Sequence, residues 1–133
     1  MALAEREFKI GPHTYRVSKH NVFGQFDLAR KLGPVIGLMT LQEDKAEQRK
    51  HFPQGFSILM GQFPKGDVDF VLDSCLSNVV RKQGEGGWVP VRVGGELAFV
   101  DINMQDMLIM VWEALEVNNL FGFFTEPKVE KKV

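Results

Sequence analysis

Three histidines, a single cysteine and three closely spaced aspartates are the side chains of this sequence best equipped for chemistry. A helical zinc site needs two histidines one turn apart, at i and i+4. His13, His20 and His51 fall in a turn, at a helix start and in a charged loop, so they read as isolated surface histidines. Cys75 occupies a core position of its helix, where a thiol away from positive charge stays protonated and unreactive. Asp69 and Asp73 lie one turn apart on a polar helix face, and Asp67 reads as the cap of that helix rather than as a metal ligand. Gly84-Glu85-Gly86-Gly87 has the composition of a phosphate cradle, but such loops run from a strand into a helix N-terminus, and this one is expected to run from a helix into a strand. No nucleophile is paired with a base and no set of metal ligands converges. The expectation is a protein that is not an enzyme and takes no cofactor or metal.

The aromatic composition points to binding instead. Eleven phenylalanines and two tryptophans accompany a single tyrosine. Core filling is the plain account of most of them. The sharper account is that some of Met107, Trp112, Phe121, Phe123 and Phe124 form an exposed apolar contact surface, because methionine and aromatic side chains bury much area with adaptable geometry.

The elements that would position these residues follow from length and patterning. A chain of 133 residues is the size of one domain, and 44% hydrophobic with 25% charged residues is the composition of a globular one. A net charge of -1 offers no overall field to draw in nucleic acid or an anionic membrane. The longest apolar run, Met107 to Trp112, is far short of the roughly 18 residues a membrane helix needs. A lone cysteine and the absence of a leader pattern after Met1 suggest a reducing cytoplasm.

Glu7 to Val17 alternates around Gly11-Pro12 and predicts a β-hairpin. Ser18 is the expected N-cap of a helix from about Lys19 to Leu32, ended by Gly33-Pro34, with Gly24 as its weak point. Leu41 to Lys50 is almost wholly polar and reads as a solvated helix or a loop, and Phe52 to Phe63 as a short helix limited by Pro53, Gly55 and Gly61. Val68, Val71, Leu72, Cys75, Leu76 and Val79 share one helical face beginning at Asp67. WVPVRV and ELAFV, joined by Gly94-Gly95, predict a second hairpin. Asp101 or Asn103 caps the last helix, which runs to Asn118 or Asn119 with Met104, Met107, Leu108, Val111 and Leu115 on one face. Ile109, Met110, Trp112 and Ala114 make its other sides apolar too, so that helix is either central to the core or offers a face to a partner. The expected fold is α+β, a mainly helical single domain over residues 1–124 with two small hairpins, followed by a disordered tail at 125–133.

Three segments together resemble one protein family. FKIGPHTYRVSK followed by QFDLARKLGPVIG opens the chain, DVDFVLDSCLSNVVRKQGEGGWVPV forms its middle, and DINMQDMLIMVWEALEVNNLFGFF closes it with a capped helix, a late asparagine and a phenylalanine pair. Their order and spacing, over about Phe8 to Phe124, are similar to the tail assembly chaperones of long-tailed bacteriophages and prophages. The resemblance implies a small non-enzymatic protein of the host bacterial cytoplasm that binds the tape measure protein, keeps it soluble and helps the tail tube assemble around it, without remaining in the virion. The tail tube protein and further copies of the chain are the other partners it allows. Members of the family are often made in two lengths by ribosomal frameshifting, and the codons of Lys131 and Lys132 would decide whether a slippery run exists here. The competing reading is a minor structural tail or completion protein retained in the particle.

Overall fold

A computed structural model describes residues 5–39 and 45–120. Two strands open the chain, β1 (Glu5–Ile10) and β2 (His13–Ser18), followed by three helices, α1 (Val22–Met39), α2 (Lys45–Met60) and α3 (Lys65–Leu76). Four short strands come next, β3 (Val79–Gln83), β4 (Gly87–Pro90), β5 (Arg92–Val93) and β6 (Glu96–Leu97), and α4 (Met104–Val117) closes the described fold. The first four strands form one antiparallel sheet in the order β1-β2-β3-β4, and β5 pairs with β6 alone.

That sheet corrects the expectation of a mainly helical domain with two small hairpins. The domain is mixed α+β, because the N-terminal hairpin is extended by β3 and β4 rather than standing by itself. The strand missed from the sequence is β3. Val79 fits the helical spacing of the preceding segment, yet α3 stops at Leu76 and Val79 pairs with Val17 while Arg81 pairs with Tyr15. A single position can satisfy a period of 3.6 and a period of 2 at once, and here the β-branched pair Val79-Val80 and the open edge of β2 favour the strand.

The two tight turns do follow sequence. Gly11 has φ +60, as the first central residue of a type II′ turn requires, and Gly94 and Gly95 have φ +60 and +84, the pair of positive values that a type I′ turn demands. Helix ends follow less closely. Asn21, not Ser18, caps α1, its Oδ1 accepting from Gly24 N at 2.8 Å. Ser18 is held in the sheet by Asn78, through Ser18 N to Asn78 O at 3.1 Å and Asn78 Nδ2 to Ser18 O at 3.2 Å. The Gly33-Pro34 pair does not end α1, and Pro53 lies inside α2, which joins the two segments expected to be separate there. Burial of Phe52, Phe56 and Met60 along one side of α2 outweighs the hydrogen bond lost at the proline. The last helix begins at Asn103 with a capping box, Asn103 Oδ1 accepting from Asp106 N at 2.7 Å.

Helix α4 is the centre of the molecule. Leu108 and every residue from Met110 to Leu115 are buried, and α4 touches α2, α3, β1 and β2. Of the two roles open to a helix apolar on most sides, it takes the interior one. Phe8, Tyr15, Val17 and Val79 come from the inner face of the sheet, and Phe52, Phe56, Val71, Cys75 and Leu76 from the helical side. Trp112 meets Phe52 edge to face at 5.3 Å between centroids, and Phe52 stacks on Phe56 at 4.8 Å.

Replacing Trp112 by Ala is therefore expected to cost about 3–5 kcal/mol in urea denaturation. Val100→Ala, at a fully exposed position, should stay within about 0.5 kcal/mol of the parent.

Candidate functional site

Most of the residues singled out as candidates for chemistry have structural roles, and His51 lies exposed on α2. Asp67, Asp69 and Asp73 go to three different cations: Lys31 at 2.6 Å, Lys65 at 2.7 Å, and Arg92. They do not converge, and among the described residues no group of three His, Cys, Asp or Glu could hold a metal ion. Asp67 sits in the first turn of α3 without capping it. The Gly84-Glu85-Gly86-Gly87 loop joins β3 to β4, so it runs from strand to strand rather than from a helix. Cys75 is fully buried, and that burial pushes its thiol up to about 12.

His20 is not the isolated surface residue its sequence position suggested. Its Nε2 lies 2.7 Å from the carbonyl oxygen of Ser74, which can only accept, so Nε2 carries a proton and donates. Its Nδ1 lies 3.2 Å from Asn118 Nδ2 and accepts there. Asn118 is 3% exposed, takes the backbone N–H of His20 on its Oδ1 at 2.8 Å, and donates Nδ2 to Ala114 O at 2.8 Å. The start of α1, the end of α3 and the end of α4 are thus tied by one imidazole and one amide. The late asparagine of the closing segment was the only sequence sign of this junction.

Two charge pairs anchor the sheet. Arg6 on β1 reaches Glu113, a buried acid of α4, and its guanidinium is held above its ordinary value by that hydrogen bond. Arg81 on β3 is buried beneath the ring of Phe99, 4.1 Å from its centroid, and grips Asp101 with Nη1 to Oδ1 at 2.9 Å and Nη2 to Oδ2 at 3.2 Å. His13 joins from the other side at 3.1 Å from Asp101 Oδ2. The hydrogen bonds from Arg81 hold the Asp101 carboxyl below the usual aspartate range.

Among the described residues, two apolar grooves stand out. A groove of about 280 Å³ lies between the end of α2 and the starts of α3 and α4, lined by Phe56, Met60, Val68, Leu72, Met104 and Met107. Met104 is 69% exposed on its rim. A second groove, of about 320 Å³, runs between α1 and the end of α4, where Val22, Phe26 and Ala29 face Asn119 and Leu120.

Of the residues expected at a contact surface, Met107 therefore lines a groove, Trp112 is inside the core, and Phe121, Phe123 and Phe124 lie outside the described residues, as does the expected tail at 125–133. Val22, Phe23 and Phe26, near the start of α1, are solvent-facing apolar groups that the sequence analysis did not single out. Among the described side chains of α1, Leu28 and Leu32, further along, are fully covered.

A family model described as phage tail assembly chaperone protein, TAC, matches residues 11–130. This chain belongs to the phage tail assembly chaperones. It matches no curated protein and no solved structure. In this chaperone the matched span takes in every described element from the turn after β1 to α4, both grooves included. None of the described helices is long and apolar enough to cross a membrane.

Two measurements test the electrostatics and burial of the chaperone. Because Asp101 has a lower value folded than unfolded, its pairing is fully stabilising above about pH 4, the ordinary aspartate range, and is lost as pH falls through the lowered value. The difference in Tm between the parent and Asp101→Asn should accordingly be largest near neutrality and close in acid. Iodoacetamide at pH 8 should leave Cys75 unmodified in the folded chaperone and alkylate it once urea is added.

Proposed function

We propose that this chaperone binds amphipathic helical segments of the phage tape measure protein in the host cytoplasm, keeps them soluble while the tail tube assembles, and leaves before the virion is complete. It does so without catalysing a reaction. The observation that supports this reading is the groove between α2, α3 and α4, where Met60, Met104 and Met107 lie together. A groove between helices is a suitable seat for the apolar stripe of another helix. Methionine has three rotatable bonds and a polarizable sulfur, so one groove can take stripes of differing shape along a long chain. Many weakly held copies on one tape measure protein would act through avidity, and weak individual contacts let the tube displace them one at a time.

The test is co-expression with the tape measure protein encoded nearby. The double change Met104→Glu and Met107→Gln should lower the amount of soluble tape measure protein captured by about tenfold or more, the loss expected of contact residues. Circular dichroism should show the variant still folded, since Met104 is exposed and Met107 half-buried. Capture equal to that of the parent would remove the groove from the contact. Mass spectrometry of purified virions is expected to find the chain absent, and its presence there in stoichiometric amount would support a retained tail component instead.

A further inference from the structure

The four-stranded sheet has two outer strands, and they are not alike. β4 is four residues long and ends in Pro90, whose nitrogen has no hydrogen to donate. β1 is six residues long, contains no proline, and among the described residues pairs with β2 alone. An open strand edge is a template for another strand, and proteins commonly guard it with charge. β1 carries Glu5, Arg6, Glu7 and Lys9, and the order of those charges decides what the edge can accept.

Which backbone groups face outward follows from the pairing on the other side. Ser18 N donates to Asn78 O at 3.1 Å, so Ser18 turns its backbone towards β3 and its neighbour Val17 turns towards β1. Alternation carries this along the ladder: Val17 pairs with Arg6 and Tyr15 with Phe8, so Arg6, Phe8 and Ile10 direct their N–H and C=O groups to β2. Glu5, Glu7 and Lys9 point theirs away from the sheet. The side chains of these three share the exposed face, opposite to that of buried Phe8. Arg16 engages Glu5 at 3.7 Å, whereas Glu7 and Lys9 enter no ion pair among the described residues.

We propose that β1 pairs antiparallel with β1 of a second copy of the chain, about a two-fold axis at Phe8. Outward groups must meet outward groups, which admits registers centred on a residue and excludes those centred between two. Centred on Arg6, Glu5 faces Glu7 of the second copy; centred on Glu7, the two Glu7 carboxylates oppose each other; centred on Lys9, the two ammonium groups do. Centred on Phe8, each Glu7 faces Lys9 of the second copy, so both free charges of each strand gain an opposite partner and no like charges meet. The strand is complementary to itself, which is why a second copy is the occupant that its charges select, and a two-fold axis is the usual symmetry of such a pair. A strand edge alone buries less than the roughly 1,200 Å² at which stable interfaces begin, so the association is weak and reversible. Each copy keeps its methionine groove, which is built from other elements, and the pairing does not rest on the tape measure reading.

Sedimentation equilibrium of the full chain at low ionic strength and up to about 1 mM, where weak contacts are populated, tests this. The parent is expected to show a monomer–dimer equilibrium. Lys9→Glu and Glu7→Lys each set like charges opposite one another and should weaken dimerisation about tenfold or more. The double variant Glu7→Lys with Lys9→Glu restores opposite charges in this register alone and should associate about as tightly as the parent. A mixture of the two single variants should form mixed dimers, because one then offers acids where the other offers bases. Both positions are exposed, so circular dichroism should show every variant folded as the parent is. A parent that stays monomeric across the range would overturn the proposal. So would single variants that dimerise as tightly as the parent, or a double variant as weak as the single ones.

Discussion

Burying one helix on every side is the constraint from which the rest of this structure follows. Leu108 and the six residues from Met110 to Leu115 cannot all be covered by a single neighbour, so the chain must supply a layer to each side of α4. The sheet supplies one through Phe8, Tyr15, Val17 and Val79, and α2 and α3 supply the other. The same enclosure catches Glu113, whose charge would be costly away from water without a cation, and Arg6 reaches across from β1 to meet it. At the helix end it catches Asn118, whose amide is satisfied by His20 and Ala114. At both places a polar contact is found where α4 would otherwise strand a polar group.

Because α4 spends its apolar surface inward, whatever apolar surface remains for contact comes mainly from other elements. This is why Trp112, on the most hydrophobic helix of the sequence, is an interior residue, while Phe23 and Phe26 on a less hydrophobic one face solvent. The first turn of α4 escapes most: Met104 is exposed and Met107 half-covered, because α2 ends beside them and α3 begins there. The site for a partner is made at the margins of the core, from side chains that the layers do not quite reach.

Local features were legible in the sequence and pairings between distant segments were not. The turn at Gly94-Gly95, the cap at Asn103 and the alternation either side of Gly11-Pro12 each depend on neighbouring residues, and each stands in the structure. The middle strand of the sheet depends on Val79 meeting Val17 across more than sixty residues, and nothing near Val79 announces it. His20 looked solitary for the same reason, since its partners are Ser74 and Asn118.

The position of α4 in the chain carries a consequence for synthesis. It is the last of the described elements to be made, and both layers are built to pack on it. As the chain emerges, β2 is made well before β3 and has no partner on its second edge, while the faces of α2 and α3 that pack on α4 stay uncovered. Long-range pairings of this kind are slow to form and leave strand edges and apolar faces open in the meantime. A member of this chaperone family therefore has its own interval of exposure on the ribosome, which ends when α4 arrives.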